Sequence, residues 1–218
     1  MHHDLDVIAD TGTLAARAAE YVAEHARAAV ADHGRFTFAV SGGHTPWAMF
    51  AELRNEDVPW ADVELFQVDE RVAPDGDPDR NLTHLRQSIG DAPARVHPMP
   101  VTDPDLEAAA GRYAAVLPPR FDLVHLGLGP DGHTASLVPA DPVLEVTGAL
   151  VAVTQPYQGH RRMTLTYPAL ARADQLLWLV TGPDKRDALA KLLAGDESIP
   201  AGRVRATRSL IMADQAAA

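Results

Sequence analysis

Apolar positions along the chain follow two different periods. Leu14, Ala18, Tyr21, Val22 and Ala29 share one stripe at helical spacing, with Glu20, Glu24 and Arg27 between them. Residues 13–33 are therefore predicted to form an amphipathic helix, with Thr13 as its cap. The run Phe36-Thr37-Phe38-Ala39-Val40 that follows is β-branched and aromatic, is bounded by Gly34 and by Ser41-Gly42-Gly43, and reads as a strand. Pro46 then sits where the first turn of a helix tolerates a missing N–H, and that helix continues through Trp47, Met49, Phe50 and Leu53.

The alternation continues downstream. Short apolar runs at residues 63–68, 123–128, 150–153 and 176–180 read as strands, and helical patterns occupy 106–117, stopped by Pro118 and Pro119, and 185–193, stopped by Gly195. Strands this short and this apolar, alternating with helices, predict an α/β fold: a Rossmann-like, mostly parallel sheet with helices on both faces. Residues 71–104 are rich in Pro, Asp and Arg and read as a long surface loop in which only 84–88 is helical, and the tail at 216–218 is expected to fray.

Length and composition narrow the function. A chain of 218 residues, 46% of them hydrophobic, is expected to form a single domain over residues 1–218, given roughly 100–200 residues per domain. No cysteine is present, which excludes disulfides, thiolate metal sites and a Cys nucleophile. The net charge of -11 argues against nucleic acid as a partner, because phosphate-backbone binding needs concentrated Lys and Arg. No stretch has the features of a secretion signal or the length of a membrane span, so the expectation is a cytoplasmic protein with no membrane partner, a monomer or small homo-oligomer. His2 and His3 are expected to be solvated and mobile; His97, His125 and His160 are scattered without ligand spacing, and no metal or other cofactor is expected.

In an open parallel sheet, ligands bind beyond the carboxyl ends of the strands, so the residues directly after each strand carry the information. Four segments qualify. Ser41-Gly42-Gly43-His44-Thr45-Pro46 joins a strand to a helix: its glycines permit close backbone approach, and free N–H groups and the two hydroxyls suit an anion, although a tight turn with an ordinary cap has the same composition. Asp69-Glu70-Arg71 ends the next strand; it is either a solvated edge or a placement for Arg71, whose planar fork suits phosphate. The segment Gly127-Leu128-Gly129-Pro130-Asp131-Gly132-His133 sets an Asp two residues before a His after an apolar strand, the arrangement in which a carboxylate fixes the tautomer of a general base. Thr181-Gly182-Pro183-Asp184-Lys185 puts Lys185 at a helix start, a poor position for a cation unless an anion binds there.

Taken together, these segments resemble the 6-phosphogluconolactonase family, within the glucosamine-6-phosphate isomerase/6-phosphogluconolactonase superfamily. The Ser-Gly-Gly-x-Thr-Pro turn, the Asp-Glu-Arg strand end, the Gly-Pro-Asp-Gly-His-Thr-Ala-Ser-Leu loop and the late Gly-x-x-Lys occur in the family's order between Val40 and Lys185. Arg162-Met163-Thr164-Leu165-Thr166 and Asp214-Gln215-Ala216-Ala217 match two further family segments, so the likeness covers nearly the whole chain. It departs at Arg80, where the family usually has Ser before the Asn kept here as Asn81, and between Ile199 and Leu210, which looks shortened.

The resemblance implies hydrolysis of 6-phospho-D-glucono-1,5-lactone in the oxidative pentose phosphate pathway, with no metal. It implies His133 as the base on water and Asp131 as its orienting partner. Ser41, Gly42, Gly43, Thr45, Asp69, Arg71, Asn81, Gly129, Arg162 and Lys185 are implied to surround the substrate and its phosphate. Two alternatives stand beside it. In glucosamine-6-phosphate deaminases, which share the turn and the Lys, the residue five places after the loop His is a catalytic Glu, and here that position is Val138. A non-catalytic sugar-phosphate sensor is the second, for which an acidic chain has no evident DNA-binding module.

Overall fold

The computed structural model describes residues 2–218. Along the chain the elements are β1 (Asp4–Ile8), α1 (Thr11–His33), β2 (Phe36–Val40), α2 (His44–Leu53), β3 (Val63–Gln67), β4 (Asp69–Arg71), α3 (Asn81–Ile89), β5 (Arg95–His97), α4 (Leu106–Val116), β6 (Phe121–Gly127), β7 (Val151–Val153), β8 (Arg162–Leu165), α5 (Tyr167–Leu170), β9 (Ala173–Val180), α6 (Arg186–Leu193) and β10 (Arg208–Asp214). Seven strands form the main sheet in the order β1-β10-β9-β6-β2-β3-β5, and every pairing in it is parallel. The α/β fold expected from the sequence is therefore present.

The strands are apolar throughout because both faces of the sheet are covered. Their side chains still alternate. Phe36, Phe38, Val40, Leu65, Leu123, Leu177 and Leu179 pack with α1 and α2 on one side, whereas Ala39, Phe66, Val124, Leu126, Leu176 and Trp178 pack with α4 and α6 on the other. The inner stripe of α1 is rich in alanine (Ala18, Ala19, Ala23, Ala26), all fully buried; short side chains let the helix lie close to the sheet.

Several expectations need correction. Helix α1 begins at Thr11, not at a Thr13 cap: Asp10 is the cap, and its Oδ1 accepts the Thr13 N–H at 2.9 Å, because a cap must precede the turn whose amides it satisfies. Residues 71–104 are not one long loop, since α3 spans Asn81–Ile89 and β5 adds an edge strand. The run at 150–153 forms β7 outside the main sheet, in a second, antiparallel sheet ordered β4-β8-β7. Strands β1 and β10 carried no expectation; β1 is an edge strand with Leu5 and Val7 exposed, so its burial contradicts its apolar pattern.

Residues near both ends of the described chain are anchored. Ala217 is buried, its N–H bonds Asp214 Oδ1 at 2.8 Å, and Arg186 Nε donates to the Ala216 carbonyl at 2.9 Å, so the tail is not frayed. His3 Nδ1 lies 2.7 Å from Ser209 Oγ and is half-buried rather than freely solvated. Among the described residues no helix is long and apolar enough to cross a membrane.

Candidate active site

The chain order of the main sheet reverses between β2 and β6: from β2 the sheet grows outward through β3 and β5, and from β6 through β9 and β10. At such a switch point the loops after the two strands part and leave a crevice. A cleft of about 400 Å³ opens there. It is lined by Ser41, Gly42, Gly43 and Thr45 after β2, Asp69 and Arg71 on β4, Asn81 of α3, Gly129 and His133 after β6, Arg162 on β8, and Lys185 before α6. Every site residue expected from the sequence thus meets in one place except Asp131, which stands behind His133 as its hydrogen-bond partner.

The loop after β6 is a built turn. Gly129 N–H donates to the His133 carbonyl at 2.8 Å, Gly132 N–H to the Gly129 carbonyl at 3.0 Å, and Thr134 Oγ1 to the Gly127 carbonyl at 2.8 Å. Within it, Asp131 Oδ1 lies 2.5 Å from His133 Nδ1 and accepts the His133 N–H at 3.1 Å. Burial works to raise the Asp131 pKa, but the hydrogen bonds from His133 outweigh it and hold the carboxyl below its usual range. A carboxylate at Nδ1 selects the tautomer with the proton there, leaving the Nε2 lone pair free. Gly129 is required by contact: a Cβ at that position would stand 2.1 Å from His133 Nδ1.

Opposite this loop, the segment after β2 is tied down from beneath. Ser41 N–H points at His125 Nδ1 (3.3 Å), its Oγ donates to the His125 carbonyl (3.3 Å), and Thr45 Oγ1 lies 2.9 Å from Thr181 Oγ1. The clearance at Gly42 serves a neighbouring side chain, since a Cβ there would fall 2.0 Å from Asn81 Oδ1. Asn81 in turn donates through Nδ2 to the Asp69 carbonyl at 3.0 Å.

The third wall is charged and dry. Asp69 is buried and accepts Ser136 Oγ–H at 2.7 Å; burial pushes its carboxyl up, with the Ser136 bond and Arg162 opposing. Arg162 is only 5% exposed, yet among the described residues its buried Nε has no partner, and its side-chain hydrogen bond to Gln158 Oε1 is long at 3.4 Å. Its guanidinium lies 5.1 Å from the centre of the Tyr157 ring. A buried guanidinium with spare donors facing a cleft is under-satisfied until an anion reaches it. Arg71 donates to the Asp79 carbonyl at 2.6 Å, and Lys185 Nζ pairs with Asp184 Oδ2 at 2.9 Å at the rim. Lys185 ends a 3-10 turn and precedes α6, so the expected helix start is one residue later.

Some of the site's residues were not foreseen. Glu70, wholly buried, accepts from the N–H groups of Arg71, Asn81 and Leu82 at 2.8, 2.8 and 2.9 Å, which fixes two cleft-lining residues at once. Arg80, flagged only as a departure, is its buried ionic partner. Tyr157 reaches Asp131 Oδ2 at 3.3 Å from a tight turn whose Gln-Gly pair was the available signal. Val138, the position that carries Glu in the deaminases, is buried and does not line the cleft. His44 also lines the cleft, whereas His97 and His160 are engaged elsewhere, with Glu64 (2.8 Å) and Asp79 (3.0 Å), and among the described residues no group of three His, Asp or Glu side chains is placed to hold a metal ion.

An open parallel sheet with a cation-lined cleft at its switch point, and a His in the wall backed by an Asp, is the arrangement of an α/β enzyme, and the cleft's cations suit a small anionic ligand. The model of the family described as glucosamine-6-phosphate isomerases/6-phosphogluconolactonase matches residues 9–212, and the chain belongs to that family. A 6-phosphogluconolactonase of Mycobacterium tuberculosis is 37% identical over all of this chain and 98% of its own length. The crystal structure of a 6-phosphogluconolactonase from Shewanella baltica superposes with a TM-score of 0.89 at 25% identity, covering 98% of each chain. A monomeric glucosamine-6-phosphate deaminase shares the fold at a TM-score of 0.87 but only 18% identity, over 98% of each chain; the fold alone does not separate the two chemistries.

Proposed function

We propose that this chain hydrolyses 6-phospho-D-glucono-1,5-lactone to 6-phospho-D-gluconate, the lactone-opening step of the oxidative pentose phosphate pathway. A single observation carries the reading: a His–Asp pair and three cations, delivered by the ends of separate strands, face one another across one cleft. The names of the relatives support the substrate, and Val138 supports a lactonase over a deaminase because it supplies no ionisable group.

A δ-lactone is an activated ester, so one base and an oriented substrate suffice. His133 Nε2 removes a proton from a water molecule as that oxygen attacks C1, forming the tetrahedral oxyanion; a base of this kind contributes about 10²–10⁴ in rate. Asp131 holds the ring and stabilises the imidazolium. As the C1–O5 bond breaks, the imidazolium returns its proton to the departing ring oxygen, and the open-chain acid leaves. Arg71, Arg162 and Lys185 grip the 6-phosphate, converting encounter into a near-attack pose. The backbone N–H groups of Gly42, Gly43 and Thr45 serve the phosphate or the oxyanion; Ser41 and Gly129, whose own N–H groups bond His125 and the His133 carbonyl, shape the walls beside the ligand, and Asp69 and Asn81 face the sugar hydroxyls.

The test follows acid release from freshly prepared 6-phosphogluconolactone against its spontaneous hydrolysis. The wild-type chain is expected to accelerate it, and His133→Ala to lose about 10²–10⁴ of that acceleration with an unchanged circular-dichroism spectrum. A folded His133→Ala protein with the wild-type rate removes the proposed base. Ammonia release from glucosamine 6-phosphate without lactone hydrolysis overturns the assignment.

A further inference from the structure

Tyr157 stands between the two halves of the proposed site and touches both. Its hydroxyl lies 3.3 Å from Asp131 Oδ2, the carboxylate oxygen not used by His133. Its ring meets the His133 ring edge-on at 5.7 Å between centroids, and its face carries the Arg162 guanidinium at 5.1 Å. We propose that Tyr157 is a positioning residue for the lactonase reaction, one that fixes the Asp131 carboxylate behind His133 and seats Arg162 for the substrate's phosphate. This rests on the function proposed above.

The turn that presents Tyr157 is constructed for rigidity. Tyr157 and His160 exchange backbone hydrogen bonds at 2.9 and 3.3 Å, and the two residues between them, Gln158 and Gly159, have φ of 51° and 86°. Positive φ at both central positions is the turn that matches the twist of a tight hairpin. His160 Nε2 then reaches Asp79 Oδ2 at 3.0 Å, and the carbonyl of that same Asp79 accepts from Arg71. The turn is thus fastened at its far end to the segment that holds another cation of the cleft.

The chemistry follows from which atoms are used. Two His133 donors hold Asp131 Oδ1, and a third donor on Oδ2 fixes the other end of this partly exposed carboxylate so that Oδ1 stays aimed at Nδ1. Burial and the neighbouring Asp131 charge raise the phenol's pKa, so it remains a donor at neutral pH. A donor on Oδ2 also draws charge away from the carboxylate oxygen that faces the imidazole. For Arg162, an aromatic face supplies a cation site without occupying any N–H donor, so the donors stay available for phosphate.

Other charged or titratable groups line the cleft with His133: Asp69, Arg71 and Arg162 from the small sheet, His44 at the start of α2, and the Asp184–Lys185 pair. None is altered in the following comparison. Tyr157→Phe removes the hydroxyl and keeps the ring; Tyr157→Leu removes both. With Phe, the acidic limb of the kcat–pH profile is expected to move upward by a few tenths of a pH unit with KM unchanged. With Leu, the same displacement is expected together with a severalfold rise in KM. The histidine ring resonances, with His133→Asn identifying the signal, are expected to show the same upward displacement in the Phe variant without any substrate.

A superimposable pH limb and ring titration in wild type and Tyr157→Phe overturn the proposal. So does a rise in KM as large for Phe as for Leu, which would make the hydroxyl a direct substrate contact. If the wild-type chain does not hydrolyse the lactone, the function above fails, and the ring titration still decides whether Tyr157 governs His133.

Discussion

Arg80 Nε lies 3.0 Å from Glu70 Oε2, with 2% of one side chain and none of the other exposed to solvent. The approach is oblique, an ionic contact rather than a directed hydrogen bond, while Arg80 Nη1 is satisfied by the Ala73 carbonyl at 2.9 Å and by Asp75 at 3.1 Å. Glu70 meanwhile collects the amides that begin α3 and the Gln67 side chain at 2.9 Å. The Arg found here where the resemblance calls for Ser is therefore the counter-charge of a carboxylate that water does not reach.

Removing that counter-charge leaves Glu70 buried and ionically unpaired. Arg80→Ala is expected to destabilise the fold by about 3–5 kcal/mol, read from urea unfolding midpoints at constant m. A loss below about 1 kcal/mol would mean that the amides alone satisfy Glu70.

Gly129→Ala separates chemistry from stability. Its Cβ would stand 2.1 Å from His133 Nδ1 and 2.8 Å from Asp131 Oδ1, so the imidazole must move while the core is untouched. A misplacement of about 1 Å is enough to cost roughly 10²-fold in kcat, with little change in melting temperature. Retention of kcat in a correctly folded Gly129→Ala protein would show that His133 does not act from the position seen here.

The contrast between these two sites also explains what the sequence disclosed. Strands β2, β3, β6 and β9 were readable because burial on both faces leaves an uninterrupted apolar run, and the residues following them could be assigned to the cleft from topology alone. Strand β4 was not readable, since Asp-Glu-Arg has no strand composition; it forms because its backbone pairs with β8 and because partners elsewhere in the chain, Ser136 for Asp69 and the Asn81 and Leu82 amides for Glu70, satisfy groups that would otherwise need water. The roles given to glycine shifted for the same reason. Gly42 was expected to permit close approach of a ligand and Gly129 to lie against the substrate, and the atoms they make room for are side chains of Asn81 and His133, a fact that only the packed structure contains.

Charge in the cleft is testable by substrate affinity. Arg71→Ala and Lys185→Ala each remove one cation from the proposed phosphate site, and a hydrogen bond to a charged group contributes about 1.5–3 kcal/mol, so KM should rise roughly tenfold to a hundredfold with a smaller effect on kcat. The wild-type kcat/KM should also fall as ionic strength rises, because opposite charges are screened over about 10 Å at 0.1 M salt. Unchanged KM in both variants would place the phosphate elsewhere.

His125 gives the fold a defined acid sensitivity. It is fully buried beneath Ser41, its Nδ1 accepts the Ser41 N–H, its Nε2 has no partner, and burial lowers its pKa to about 3. An unfolded histidine titrates near 6.5, so between about 6.5 and 3 the unfolded chain binds a proton that the native chain refuses. Stability attributable to this site is therefore complete above the unfolded value and declines as the pH falls through that window, by up to roughly 1.4 kcal/mol per pH unit. His3, depressed to about 4 by partial burial, acts in the same sense, whereas Asp69, raised by burial, acts in the opposite one. A single substitution isolates the term: His125→Asn retains an acceptor for Ser41 and cannot titrate. Unfolding free energies measured from pH 7 to 4.5 are expected to fall less steeply for His125→Asn than for wild type, whatever the offset at pH 7, and parallel slopes would show that His125 takes up its proton in the native state.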